Sequence, residues 1–254
     1  MNKGGNTKRK LSSLNYSRGR RAFFNSLIKR IVDLRQSECM KILHEDDDII
    51  VCVKEAGVAT QTRQIGQKDM ESMLRTYRMQ KGESSYIGVV HRLDQPVSGV
   101  MVFAKNKEAS AHLSRQIATK AADKCYYAVT DGVPEKKKAT LEDYLLRDGK
   151  TNLSKVVSSK TEGAKRAELS YEVIAQKEDK AILRVQLATG RHHQIRVQLA
   201  QAGWPIVGDR KYNFKENMKP SGEQLALCSY RLAFKHPKTN KNVAFEIELP
   251  YQLI

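Results

Sequence analysis

The sequence predicts an α+β domain: a mainly antiparallel mixed sheet flanked by helices and loops. Three observations carry that expectation. Short β-like runs recur from about residue 42 onward, two of them alternate apolar and polar residues, and the helical patterns between them are too few for strict strand–helix alternation. With 254 residues, 40% of them hydrophobic, the chain suits one large domain or two small ones with a true core.

Taken in order, residues 1–18 are rich in Gly, Asn, Ser and Lys and are expected to be mobile. Residues 20–36 read as an amphipathic helix, with Phe23, Phe24, Leu27, Ile28, Ile31 and Leu34 on one side. That stripe would dock on the main domain or on a partner, with a membrane-surface helix as the alternative. The first 41 residues hold 11 Lys/Arg against two acids, so residues 1–41 form a basic arm and residues 42–254 the main domain. Within it the strand-like runs are Ile49–Val53, Gly99–Ala104, Tyr126–Thr130, Ala167–Ile174, Ala181–Leu187 and Val243–Leu249. Leu183, Val185 and Leu187 share one face, as do Val243, Phe245, Ile247 and Leu249. Met70, Met73, Leu74 and Tyr77 mark one helix; Ala109, Leu113 and Ile117 mark another, opened by an Asn106 cap. Segment 131–166 reads as a hairpin with exposed, solvated charges.

Composition then excludes several function classes. No apolar run approaches the roughly 20 residues of a bilayer span, and the basic N-terminus lacks a signal-peptide core, so a cytoplasmic protein with no membrane partner is expected. Cys39, Cys52, Cys125 and Cys228 form no CxxC pair, and the six histidines show no HExxH spacing. No metal or cofactor is therefore expected. The net charge of +17 points to a polyanion, and charge alone fits DNA, RNA or an anionic membrane equally.

Three segments stand out from ordinary folding punctuation. Val89–Ala104 contains His91-Arg92-Leu93-Asp94, then Pro96 and Gly99, which sets a carboxylate on a turn beside a cation. Its bland reading is a loop-stabilising Arg92–Asp94 pair. Thr189–Leu199 crowds Arg191, His192, His193 and Arg196 at the start of an amphipathic segment, where backbone donors favour an anion. Its bland reading is a surface-exposed basic helix start. Gly203–Tyr212 is a turn-rich loop whose expected role is shape.

At these residues a specific resemblance appears. His91-Arg92-Leu93-Asp94 with Gly99 resembles the first signature of the RluA family of RNA pseudouridine synthases. Gly190-Arg191-x-His193-Gln194-Ile195-Arg196, then Gly203-x-Pro205-Ile206-x-Gly208-Asp209-x-x-Tyr212, resembles the second. Lys124-x-Tyr126-x-Ala128, the stretch Leu43–Gly57 that includes Lys54, and Leu227–Pro237 resemble three further family motifs, all five in collinear order. The resemblance implies the pseudouridine synthase fold; the first 41 residues are too short and too unpatterned for the S4 RNA-binding domain that many relatives carry, and the basic arm is expected to take that domain's place. It implies Asp94 as the catalytic carboxylate, paired with Arg196, and Tyr126 against the uracil. Arg92 is implied as the residue that fills the space left by an extruded base, with Leu93 packing and His91 structural beside it. Arg191 would contact phosphate, and His193 and Gln194 are assigned with it to the substrate side.

The chemistry agrees with that assignment. Moving uracil from an N1–C1′ to a C5–C1′ bond changes no oxidation state and needs no cofactor. It does need a carboxylate at an anomeric carbon, either to stabilise or attack C1′, as in retaining glycosidases, or to remove the C2′ proton. The expected partner is a structured rRNA or tRNA, with a monomer as the default. The competing reading is a catalytically silent RNA-binding or ribosome-assembly protein on the same fold.

Overall fold

The computed structural model describes residues 40–250 except 63, 65 and 218–222. The basic arm up to residue 39, and with it the helix expected over 20–36, lies outside the described residues. Eleven strands form one mixed sheet: β1 (Ile42–Glu45), β2 (Ile49–Lys54), β3 (Gly88–Val89), β4 (Ser98–Ala104), β5 (Asp123–Asp131), β6 (Lys138–Asp148), β7 (Leu153–Val157), β8 (Lys165–Lys177), β9 (Lys180–Leu187), β10 (Leu227–Lys235) and β11 (Asn242–Glu246). Their order is β1-β2-β4-β10-β5-β9-β8-β6-β7, with β3 on β4 and β11 on β10. Only β4 and β10 pair in parallel among these, so the expected antiparallel bias holds. The helices among the described residues are α1 (Met70–Gln80), α2 (Lys107–Ala118), α3 (Gln194–Gln201) and the short α4 (Phe214–Asn217). No helix among the described residues is long and apolar enough to cross a membrane.

β2 and β4 read as unbroken apolar runs because both faces are covered. Ile50, Cys52, Met101 and Phe103 face α1 through Met70 and Leu74. Ile49, Val51, Val100 and Val102 face α2 through Ala109 and Leu113. Local signals set both helices. Asp69 and Ser72 form a reciprocal capping box at α1, and Asn106 accepts from the Ala109 amide at α2. The α1-side core continues across Tyr126, Ala128, Leu183, Val185 and Leu169 to Ile195 and Leu199 of α3, and includes Leu93 and Val97. The 90–97 loop, Tyr126 and α3 thus pack into one continuous core.

Three expectations change. The last strand stops at Glu246 rather than Leu249, because Leu249 leaves Val243, Phe245 and Ile247 and packs on the α1-side core. α3 is not an exposed basic helix start: residues 194–199 are all buried, with Arg196 4% exposed. The 131–166 segment does form a hairpin, β6–β7, yet β7 packs on α3 through Val156, in the cluster that holds Val197, instead of serving only as a solvated face.

A group with metal-ligand residue types, Asp46, Asp48 and His236, joins the β1–β2 turn to the β10–β11 turn. Nδ1 of His236 accepts the Lys238 and Thr239 amides at 3.3 and 3.2 Å, so Nε2 carries the proton and donates to Asp46 at 2.9 Å. Burial pushes the Asp46 carboxyl up, but His44, His236 and two backbone amides outweigh it and hold it well below the usual range. The group is a latch between two turns.

Candidate active site

The loop between β3 and β4 is fixed from below by polar groups that its own sequence does not contain. Lys54, at the end of β2, is fully buried and donates to the carbonyls of Glu55 (2.9 Å), Val58 (2.6 Å) and Gln95 (3.0 Å). Burial pulls its ammonium down to about 8, against the opposing charge of Asp94, so the side chain stays charged at neutral pH. Thr60 bonds both the carbonyl and the amide of Leu93, at 3.0 and 3.2 Å. Nε2 of His91 accepts the Val102 amide at 3.1 Å. Burial and the charge of Lys124 lower His91 to about 3, in keeping with a neutral ring used as an acceptor. Leu93 is buried, and Arg92 is exposed with no hydrogen bond or ion pair among the described residues.

Asp94 is held from above by α3. Its Oδ2 lies 3.5 Å from Nη1 of Arg196 and 3.5 Å from Nε2 of His193, while Oδ1 has no hydrogen-bond partner among the described residues. The Arg196 guanidinium is fixed elsewhere first. Nε and Nη2 grip both oxygens of Asp209 at 2.8 and 2.7 Å, and the cation sits 5.3 Å from the Tyr212 ring centroid. Burial works against its charge, and the Asp209 bonds more than offset this. Arg196 therefore presents one edge to Asp94 from a buried, preset position, where the sequence reading had Asp94 as its partner.

Tyr126 is 7% exposed on β5, with its hydroxyl bonded to the Ser229 side chain. Burial pushes the phenol well above its usual range, and the charge of Asp94 adds to this. Ser229 on β10 pairs in turn with Gly99 of β4, whose φ is +131. A Cβ there would lie 2.2 Å from the Ser229 carbonyl oxygen, so only glycine permits this approach. Lys124, two residues before Tyr126 on the same face, has no carboxylate partner among the described residues. Its Nζ lies 3.4 Å from where a Cβ on Gly190 would stand, and burial lowers its ammonium.

The other expected residues divide. Arg191 is exposed; its Nε donates to the Arg166 carbonyl at 3.0 Å, and it has no carboxylate partner among the described residues. Gln194 is 3% exposed and its amide is spent internally, on Thr189, the Arg191 amide and the Glu168 carbonyl. These bonds shape the 189–191 turn. Sequence reasoning gave no role to Asp209, Tyr212, Lys54 or Ser154. Asp209 and Tyr212 stood in the second signature, and their spacing from Arg196 was the available signal; the place of Ser154 had none.

With this geometry in view, comparison with known proteins is specific. The model of the RNA pseudouridylate synthase family matches residues 48–201. An uncharacterised RNA pseudouridine synthase of Bacillus subtilis, YhcT, is 32% identical over 89% of this chain and 78% of its own length. Ribosomal large subunit pseudouridine synthase C of Haemophilus influenzae is 29% identical over 84% of this chain and 66% of its own. In fold, human RNA pseudouridylate synthase domain containing 4 superposes with a TM-score of 0.69 at 21% identity, over 90% of this chain and 94% of that one. Domain containing 1 gives 0.71 at 22% identity, over 84% and 85%. Together with the motifs that resemble the RluA type, these matches show that the chain belongs to the RNA pseudouridine synthase family, whose members are isomerases.

Proposed function

We propose that this protein isomerises specific uridines to pseudouridine in a structured ribosomal or transfer RNA, with Asp94 as the acting carboxylate. The observation that carries the reading is the asymmetry of that side chain. One oxygen is steadied by a guanidinium and an imidazole, and the other has no partner among the described residues. A carboxylate so held suits an anomeric carbon that gains cationic character as its bond to N1 breaks. Two routes start from it: attack on C1′, or removal of the C2′ proton. A primary isotope effect with uridine deuterated at C2′ marks the second. In either route C5 joins C1′, the C5 proton leaves, and N1 regains a proton. The buried Tyr126, a neutral phenol, suits stacking on the uracil better than proton abstraction.

A stacked uridine cannot reach this cleft, so the base must leave the helix at a cost of a few kcal/mol. Exposed Arg92 beside the loop supports its role as the side chain that fills the gap. Lys124 and Arg191, without acidic partners among the described residues, suit backbone phosphates. Relatives named as ribosomal large subunit enzymes make rRNA the first RNA to test. The arm, residues 1–41, is proposed as an added phosphate-binding segment on a catalytic unit from residue 42; deleting 1–18 should flatten the salt dependence of RNA binding.

The test is tritium release from RNA labelled at uridine C5. Release that disappears in Asp94→Asn while RNA binding survives supports the reading. No release from ribosomal or transfer RNA, with binding intact, would leave a silent RNA-binding protein.

A further inference from the structure

His193 is buried, with its side chain 4% exposed, at φ +54, the left-handed region. It occupies the cap position of α3 without capping it, so its ring is used elsewhere. Nδ1 lies 2.8 Å from the Tyr212 hydroxyl, and Nε2 lies 3.5 Å from Oδ2 of Asp94. The Tyr212 oxygen also accepts the Ser154 amide at 2.8 Å. Proton placement follows from counting donors. If Nδ1 carried the proton, the lone pair on Nε2 would face a carboxylate oxygen and the Tyr212 proton would have no acceptor in this group. With the proton on Nε2, each contact has one donor and one acceptor: Ser154 N–H to Tyr212, Tyr212 O–H to Nδ1, and Nε2–H to Asp94.

Resting on Asp94 as the acting carboxylate, we propose that His193 is a positioning residue: a neutral imidazole, locked by Tyr212 in the form that donates from Nε2, which holds Oδ2 of Asp94 so that Oδ1 faces the ribose. Its surroundings favour the neutral ring. Burial, then Arg196, His192, Lys211 and Arg147, hold it down to about 2. His192 stacks on it with centroids 3.8 Å apart, and donates from its own Nδ1 to the Ser154 hydroxyl, which in turn bonds the His192 carbonyl. The Asp94 contact is long here, as catalytic hydrogen bonds often are before substrate enters.

Two variants separate this role from folding. Tyr212→Phe keeps the ring under Arg196 and removes only the hydroxyl. His193→Asn keeps a side chain that tolerates the left-handed backbone, but its amide is too short to reach Asp94. The first readout is independent of activity: nitrogen NMR of histidine-labelled protein should find the His193 proton on Nε2 in the native enzyme, and a mixed or Nδ1-protonated ring in Tyr212→Phe. The second is kinetic. Both variants should lower kcat about 10- to 100-fold with KM unchanged, the effect of losing one charge-assisted hydrogen bond at the reacting group. His193→Gln, whose amide reaches further, should recover part of the loss. An Nδ1-protonated ring in the native protein, or a native kcat in folded His193→Asn, overturns the proposal while leaving the tritium test of Asp94 untouched.

Discussion

Two regions of this molecule hold cations close together and use them in opposite ways. Where α1 meets β1, Arg78, Lys81 and Lys105 each face an acid. Glu45 accepts from Lys81 at 3.1 Å, Lys105 at 3.0 Å and Tyr77 at 2.8 Å, and Glu83 accepts from Arg78 at 3.1 Å and Lys105 at 3.0 Å. Lys105 and the other cations hold Glu83 down to about 2. Around the cleft, Arg92, Lys124 and Arg191 have no acidic partner among the described residues, and Arg196 alone is clamped. The difference teaches which charges the fold needs and which are left for an anion that is not part of the chain.

The largest expected effect breaks the clamp. Arg196→Met leaves Asp209, whose side chain is 0% exposed, without its counter-charge, and should cost about 3–5 kcal/mol in urea denaturation. It should abolish activity as well. Lys105→Met at the paired rim should cost about 1–3 kcal/mol and leave RNA affinity unchanged. Between these in kind is a pH effect. His91 and His193 are held near 3 and 2 in the fold against 6.5 in the open chain, so the unfolded state binds more protons below pH 6.5. Stability should fall as pH drops below that value, by up to about 1.4 kcal/mol per pH unit for each ring, and His91→Gln should remove one share of the slope. The smallest stability effects belong to Arg92→Ala and Lys124→Met, within about 0.5 kcal/mol of native. Each should instead reduce the slope of log affinity against log salt by about 0.7–0.9. If Arg92→Ala or Lys124→Met lost stability, or the rim variant lost RNA binding, the division between the two regions would be wrong.

How much of this was legible depended on whether a residue's partners lie nearby in sequence. The runs over Ile49–Val53 and Gly99–Ala104 were readable because burial on both faces leaves only apolar residues, and the cap at Asn106 because it acts within three residues. β10 escaped as a strand because Ser229 and Arg231 interrupt its apolar run, and Ser229 is small where Gly99 crosses. β6 was legible only as one arm of the 131–166 hairpin, without bounds, because most of its residues are exposed or half-buried. α3 was misread as amphipathic because its polar residues find partners inside: Arg196 pairs with Asp209, and Nε2 of Gln198 donates to Asp143 at 2.7 Å. Asp94, Tyr126 and Arg196 came from motif resemblance, whereas the Tyr212–His193 relay needed coordinates, since its members lie 19 residues apart and Ser154 is further still.

The most direct test is a structure of Asp94→Asn bound to RNA. The account predicts one uridine out of its helix, its ribose against the Oδ1 side of residue 94, its base over Tyr126, and Arg92 in the vacated stack. A nucleotide seated away from that side chain, or RNA lying across the α1 rim with the cleft empty, would contradict it.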